Sequence, residues 1–140
     1  MQNLIDSGVL LTDERLYEVV KSRLSQIPRG TGVIFDGIPR RVSQAEFLLD
    51  YLKQQGRTEF ATLFVDLPKE ESLARLLKRA EIEGRKDDRP EKIEFRLKQY
   101  QEDTRPVLDF LKKQTKFFEI DGEPEIEEVT KNIFLALNIN

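Results

Sequence analysis

Apolar residues return at helical spacing along Leu16, Val19, Val20 and Leu24, behind Thr12-Asp13-Glu14-Arg15, whose threonine is a helix N-cap signal, and ahead of Pro28. A stripe of that period buries one face of a helix, so the pattern predicts a helix over about 13–26. Gly30-Thr31-Gly32 breaks it. The short β-branched run Val33-Ile34-Phe35 then predicts a buried strand ending in the turn Asp36-Gly37-Ile38-Pro39. Ser43 stands as the cap of a second helix, which carries Phe47, Leu48, Tyr51 and Leu52 inward until Gly56. Ala61-Thr62-Leu63-Phe64-Val65, closed by Asp66-Leu67-Pro68, predicts a second strand.

From Lys69 to about Glu83 an amphipathic helix uses Leu73, Leu76, Leu77 and Ala80 as its inner stripe, and Gly84 ends it. Pro90 suits the first turn of a long helix bearing Ile93, Leu97, Tyr100, Val107, Leu108 and Leu111, which Pro106 interrupts and kinks. Phe117-Phe118-Glu119-Ile120 predicts a third strand, Asp121-Gly122 a turn, and Ile126, Val129, Ile133, Phe134 and Leu137 a closing helix. Strands alternating with helices predict an α/β fold: a parallel sheet with flanking helices. Three strands are few for such a sheet, whose parallel strands need neighbours and cover on both faces, so the sheet is expected to be incomplete. There is no internal repeat, linker or low-complexity stretch.

Composition narrows the class. The 140 residues are 39% hydrophobic and 35% charged, which fits one globular domain rather than a disordered chain. There is no cysteine and no histidine, so disulfides, thiolate nucleophiles, Ser-His-Asp machinery, zinc fingers and imidazole acid–base chemistry are excluded together. A net charge of −3 gives no global positive field to recruit nucleic acid or anionic lipid. Met1 to Arg15 lacks the basic and apolar regions of a secretion signal, and the longest apolar run, Ile133 to Leu137, is far shorter than a membrane span. The expected location is cytoplasmic, with neither membrane nor nucleic acid as partner.

Chemistry must then run on carboxylates, lysines, arginines, hydroxyls and backbone. Ligands of open α/β sheets sit at the carboxyl ends of the strands. The first of these reads Asp36-Gly37-Ile38-Pro39-Arg40. Gly37 admits a flat ligand close to the backbone, Pro39 stiffens the turn, Arg40 offers a fork for phosphate, and Gln44 can pair with the edge of a base. The bland alternative is a solvated turn. Arg75 and Arg79 share a helical face and are followed by Arg85, Arg89, Arg96 and Arg105, half of the chain's arginines. Interleaved acids make a salt-bridged surface the competing explanation. Phosphoryl transfer, however, asks mainly for converging cations, alignment and exclusion of water, which a chain without histidine can supply.

Val33-Ile34-Phe35-Asp36-Gly37-Ile38-Pro39-Arg40-Arg41-Val42-Ser43-Gln44 resembles the adenylate kinase signature. The stretch from Arg75 through Arg79, Gly84-Arg85-Lys86-Asp87-Asp88 and Arg96-Leu97 to Tyr100 resembles the lid and following helix of that family. Ile5 to Glu14 resembles the segment opening the last part of its AMP-binding subdomain, so the likeness spans nearly the whole chain. It implies a P-loop NTPase-like fold in a single domain over 1–140, with about 1–28 the remainder of the AMP-binding subdomain, about 80–85 a short lid, and the rest core. The family reaction is ATP plus AMP to two ADP with Mg2+.

The resemblance also implies roles. Arg40 would hold the AMP phosphate and Gln44 the adenine edge, with the backbone around Gly37, Ile38 and Pro39 and around Val9, Leu10 and Leu11 lining the pocket. Arg85 and Arg96 would bridge the transferring phosphates. Arg75 would lie against the ATP adenine, Arg79 would reach the ATP phosphates, and the backbone near Pro124 would touch that adenine. Asp36 would act on magnesium through water. The abbreviated lid without cysteines implies no zinc, and the family's bacterial habit implies a monomer.

One part of the family pattern is missing. The family opens with a strand, central in its sheet, and a G-x-x-x-x-G-K-[ST] loop that cradles the ATP phosphates. These 140 residues contain no Gly-Lys dipeptide. The chain therefore resembles the C-terminal part of an adenylate kinase, and its turnover alone is expected to be negligible. Two alternatives stand beside it: a UMP/CMP kinase, a group that tends to carry Asn where Gln44 stands, and a noncatalytic AMP-binding or interaction module.

Overall fold

The computed structural model describes residues 12–83 and 90–139. Helix α1 spans Asp13–Ser25 and α2 Val42–Gln54; strand β1 is Ala61–Asp66; α3 is Lys69–Glu83 and α4 Pro90–Gln99; α5 is Arg105–Gln114, β2 Lys116–Asp121 and α6 Ile126–Leu137. The described residues of 1–58 and 96–110 form one compact unit, and those of 59–95 and 111–140 a second.

In the first unit α1 buries Val20 and Leu24, and α2 buries Ala45, Leu48, Leu49 and Leu52; Val107 on α5 is also buried. These are the i, i+3, i+4 positions that a helix turns to one side. Tyr17 stacks on Phe47 at 3.8 Å, and Phe47 in turn lies parallel to Tyr51 at 5.8 Å, joining α1 to α2 by aromatic faces. The ammonium of Lys21 stands 5.5 Å from the centre of the Phe47 ring. Helix α2 stops at Gly56, whose N–H donates to the Lys53 carbonyl at 2.9 Å while that of Arg57 reaches Leu52.

In the second unit β1 and β2 pair in parallel, from Ala61 opposite Lys116 to Asp66 opposite Asp121. Between them run the helices that a parallel crossover needs. Ile120 and Leu111 are buried here, as is Ile93, which is 1% exposed. The hydroxyls of Thr62 and Thr115 share a 2.8 Å hydrogen bond beside the first rung. Helix α6 packs on β2 and closes on Asn138, in left-handed conformation, with the Ile139 N–H bonded to the Phe134 carbonyl at 2.9 Å.

The fold class is the expected one: a small parallel sheet with flanking helices, consistent with part of a P-loop NTPase-like fold. Three details differ from the sequence expectation. Val33-Ile34-Phe35 is not a strand, and Ile34 is 95% exposed. A parallel strand draws its hydrogen bonds from neighbours, and no described residue pairs with this segment. The break at Pro106 is a π-helical turn over Tyr100–Thr104, where the Arg105 N–H bonds back to the Tyr100 carbonyl. Proline lacks an N–H and crowds the preceding turn, and a widened turn absorbs both effects. Helix α2 starts one residue before Ser43, whose hydroxyl is spent on a carboxylate thirty residues away rather than on a cap. No described helix is long and apolar enough to cross a membrane.

Candidate functional site

The Asp36–Arg40 turn sits in the first unit, between residues 31–35, which have no regular secondary structure, and the start of α2. Gly37 has φ +77°, a conformation that L side chains rarely adopt, and its carbonyl accepts the Arg40 Nε–H at 2.8 Å. The guanidinium of Arg40 is thereby held back over its own turn, while the residue as a whole remains exposed. Asp36 is exposed, Ile38 and Pro39 are half-buried, and the peptide bond between the latter two is cis. The backbone of Arg40 is pinned at both ends. Its N–H donates to Gln44 Oε1 at 2.8 Å, and its carbonyl accepts the Thr104 hydroxyl at 3.2 Å.

Gln44 is the buried polar residue of this unit, 4% exposed. Its other end, Nε2, donates to Asp13 Oδ1 at 2.9 Å. The same carboxylate takes the Ser43 hydroxyl on Oδ2 at 2.6 Å and the Arg41 guanidinium on Oδ1 at 3.2 Å. These donors, Ser43 first, then Gln44 and Arg41, hold the Asp13 carboxyl below its ordinary value, against the opposing pull of burial. Arg41 also stands 3.9 Å from Asp103, on the π-helical turn. The pattern of α1 marks Asp13 as a first-turn acid and no more; its partners lie about thirty residues downstream, which helical periodicity does not encode.

Arg96 belongs to this unit as well, half-buried on α4 three residues after Ile93 and four before Tyr100. Arg75, Arg79 and Pro124 belong to the second unit. Arg75 uses all three of its guanidinium nitrogens: Nε donates to Glu71 at 2.6 Å, Nη1 to the Gly122 carbonyl at 3.0 Å and Nη2 to the Glu123 carbonyl at 2.8 Å. It thereby grips the turn that leads from β2 to Pro124. Arg79 and Pro124 are half-buried. Val9, Leu10, Leu11 and Arg85 lie outside the described residues, as does the end of the expected lid beyond Glu83.

Among the described residues no group of three or more carboxylates is placed to hold a metal ion by itself. Magnesium bound chiefly through nucleotide phosphates and water asks the protein for one or two carboxylates only, and the exposed Asp36 beside the Arg40 turn suits that lesser demand.

The family model for adenylate kinase matches residues 1–116. The chain is 38% identical over 133 residues to an adenylate kinase of Phocaeicola vulgatus, covering 95% of this chain and 70% of that protein. It is 38% identical over 136 residues to adenylate kinase 1 of a Nostoc species, covering 97% and 72%, and 41% identical over 133 residues to an adenylate kinase of a Cyanothece species, covering 95% and 68%. A match of this identity running through both units, with the Asp36–Gln44 signature inside it, places the chain in the adenylate kinase family.

Proposed function

We propose that this chain supplies the monophosphate site and the arginine set of a reversible phosphoryl transfer, ATP plus AMP to two ADP. The observation that carries the reading is the Arg40 turn: a guanidinium folded over its own backbone, on a main chain fixed by a buried glutamine and by Thr104. Such preorganisation lowers the ordering cost of holding a phosphate. Gln44 would offer the adenine contact, and the backbone at Gly37 to Pro39, with Val9 to Leu11, would line the pocket. Arg85 and Arg96 act on the transferring phosphates, and their charge offsets what develops on the equatorial oxygens.

On the donor side, Arg79 would take the ATP phosphates and Arg75, with the backbone near Pro124, the adenine. The grip of Arg75 on the Gly122 and Glu123 carbonyls supports a role in shaping that turn. Magnesium brought with ATP neutralises phosphate charge, and Asp36 would hold it through water. About 1–28 would complete the monophosphate subdomain and about 80–85 would serve as a short lid.

The 140 residues carry no Gly-Lys dipeptide, so turnover by this chain alone is negligible in this reading, and AMP binding without ADP formation is the behaviour that it favours. Calorimetric titration of the chain with AMP, UMP and CMP tests it. AMP binds in preference, and Arg40→Ala weakens it by about ten-fold or more. Preference for UMP would move the chain to the UMP/CMP kinases, and no binding of any nucleotide would remove the reading altogether.

A further inference from the structure

Gln44 is buried with a donor-only group on one side and an acceptor-only group on the other. The Arg40 backbone N–H can only donate, and it meets Oε1 at 2.8 Å; the ionised Asp13 carboxylate can only accept, and it meets Nε2 at 2.9 Å. A carboxamide on the protein surface turns over freely between its two orientations. Here the turned-over state would set Nε2 against an N–H and Oε1 against a carboxylate, losing both bonds inside a site only 4% exposed. We propose that Asp13 is a positioning residue that locks the Gln44 amide in one orientation and so sets which purine the monophosphate site accepts.

The proposal rests on the AMP reading above, in which Gln44 faces the base. Adenine shows an acceptor at N1 beside a donor at the 6-amino group, whereas hypoxanthine shows a donor at N1 beside an acceptor at O6. One amide can serve either base, but only in opposite orientations. A locked amide therefore selects between AMP and IMP, which share ribose, phosphate and ring shape. The rest of the Asp13 cluster keeps the lock in place. Ser43 holds Oδ2, and Arg41, braced at 3.9 Å from Asp103, shares Oδ1 with Gln44.

The test is titration of AMP and IMP into the full chain, unmodified and as Asp13→Ala and Asp13→Asn. The unmodified chain prefers AMP, and Asp13→Ala lowers the AMP-to-IMP affinity ratio by about ten-fold. Asp13→Asn keeps the ratio, because an amide oxygen still accepts from Nε2 while its nitrogen donates to the Ser43 hydroxyl. A purely structural role would weaken both nucleotides in parallel in Asp13→Ala, and that parallel loss overturns the proposal while leaving the AMP reading intact. Absence of AMP binding to the unmodified chain overturns both. Nuclear magnetic resonance of the unmodified chain gives a check that needs no variant to fold. The Gln44 side-chain amide protons should exchange with water far more slowly than those of the exposed Gln54, and equally fast exchange would show that no lock exists.

Discussion

Gly122 meets Asp66 so closely that no side chain fits between them. Its N–H donates to the Asp66 carbonyl at 2.8 Å, and a Cβ built on Gly122 would stand 2.7 Å from that oxygen and 2.8 Å from Val65 Cγ1. The contact directly follows the last rung of the sheet, where Asp66 opposes Asp121. Gly122→Ala must therefore move backbone rather than a flexible side chain. We expect a loss of about 2 kcal/mol in urea unfolding of the chain. A change within about 0.5 kcal/mol would mean that the strand ends separate without cost.

The turn beyond Gly122 depends on Arg75. Its two carbonyl bonds at 3.0 and 2.8 Å need the planar fork of a guanidinium, which an ammonium cannot reproduce. Arg75→Lys and Arg75→Ala should both lower stability by roughly 1 kcal/mol, the effect being moderated because the side chain is 44% exposed. Full retention of stability by the lysine variant would count against the bidentate grip.

Ile93 is a different case, since its role is volume. At 1% exposure it is among the largest fully buried side chains described, and Ile93→Ala is expected to cost about 3 kcal/mol through lost transfer energy and the cavity left behind. Thermal unfolding followed by circular dichroism would register it. A loss below about 1 kcal/mol would indicate that the site collapses around the smaller residue.

Asp13 makes the acid limb of stability specific. Hydrogen bonds from Ser43 and Gln44 and the charge of Arg41 hold its folded-state pKa below the ordinary 3.8. A depressed pKa adds stability above the unfolded value, and that contribution fades as pH falls through the folded value. The unmodified chain should therefore exceed Asp13→Asn in stability at neutral pH, and the gap should narrow by about pH 3. Urea unfolding of both at the two pH values checks the sign; a gap that widens on acidification would contradict it.

Much of this protein is legible from residue order alone. Helical period marks α1, α2, α3 and α6, although neither Thr12 nor Ser43 makes the expected side-chain cap bond; Gly56 ends α2 as its position in the pattern predicts, and the alternation of strands and helices yields the parallel sheet. The Asp36–Gln44 signature names the family because a dense local motif needs no tertiary information to be recognised. Local order does less well where burial depends on distant neighbours. Val33-Ile34-Phe35 has the composition of a strand, but a strand exists only with a partner for its backbone, and Ile34 stands exposed. Leu73 and Leu77 follow the apolar stripe of α3 and are still 37% and 39% exposed.

The sequence by itself determined most of the helices, two of the three expected strands, the family and the residue types that phosphate chemistry requires, because periodicity, turn chemistry and motif are properties of neighbours along the chain. Only the tertiary structure decided that Asp13, Arg41, Ser43 and Gln44 form one hydrogen-bonded cluster beneath Arg40, and that Arg75 holds the turn before Pro124. Those bonds join residues about thirty to fifty positions apart, and which donor meets which acceptor is fixed only when packing brings their helices and turns together.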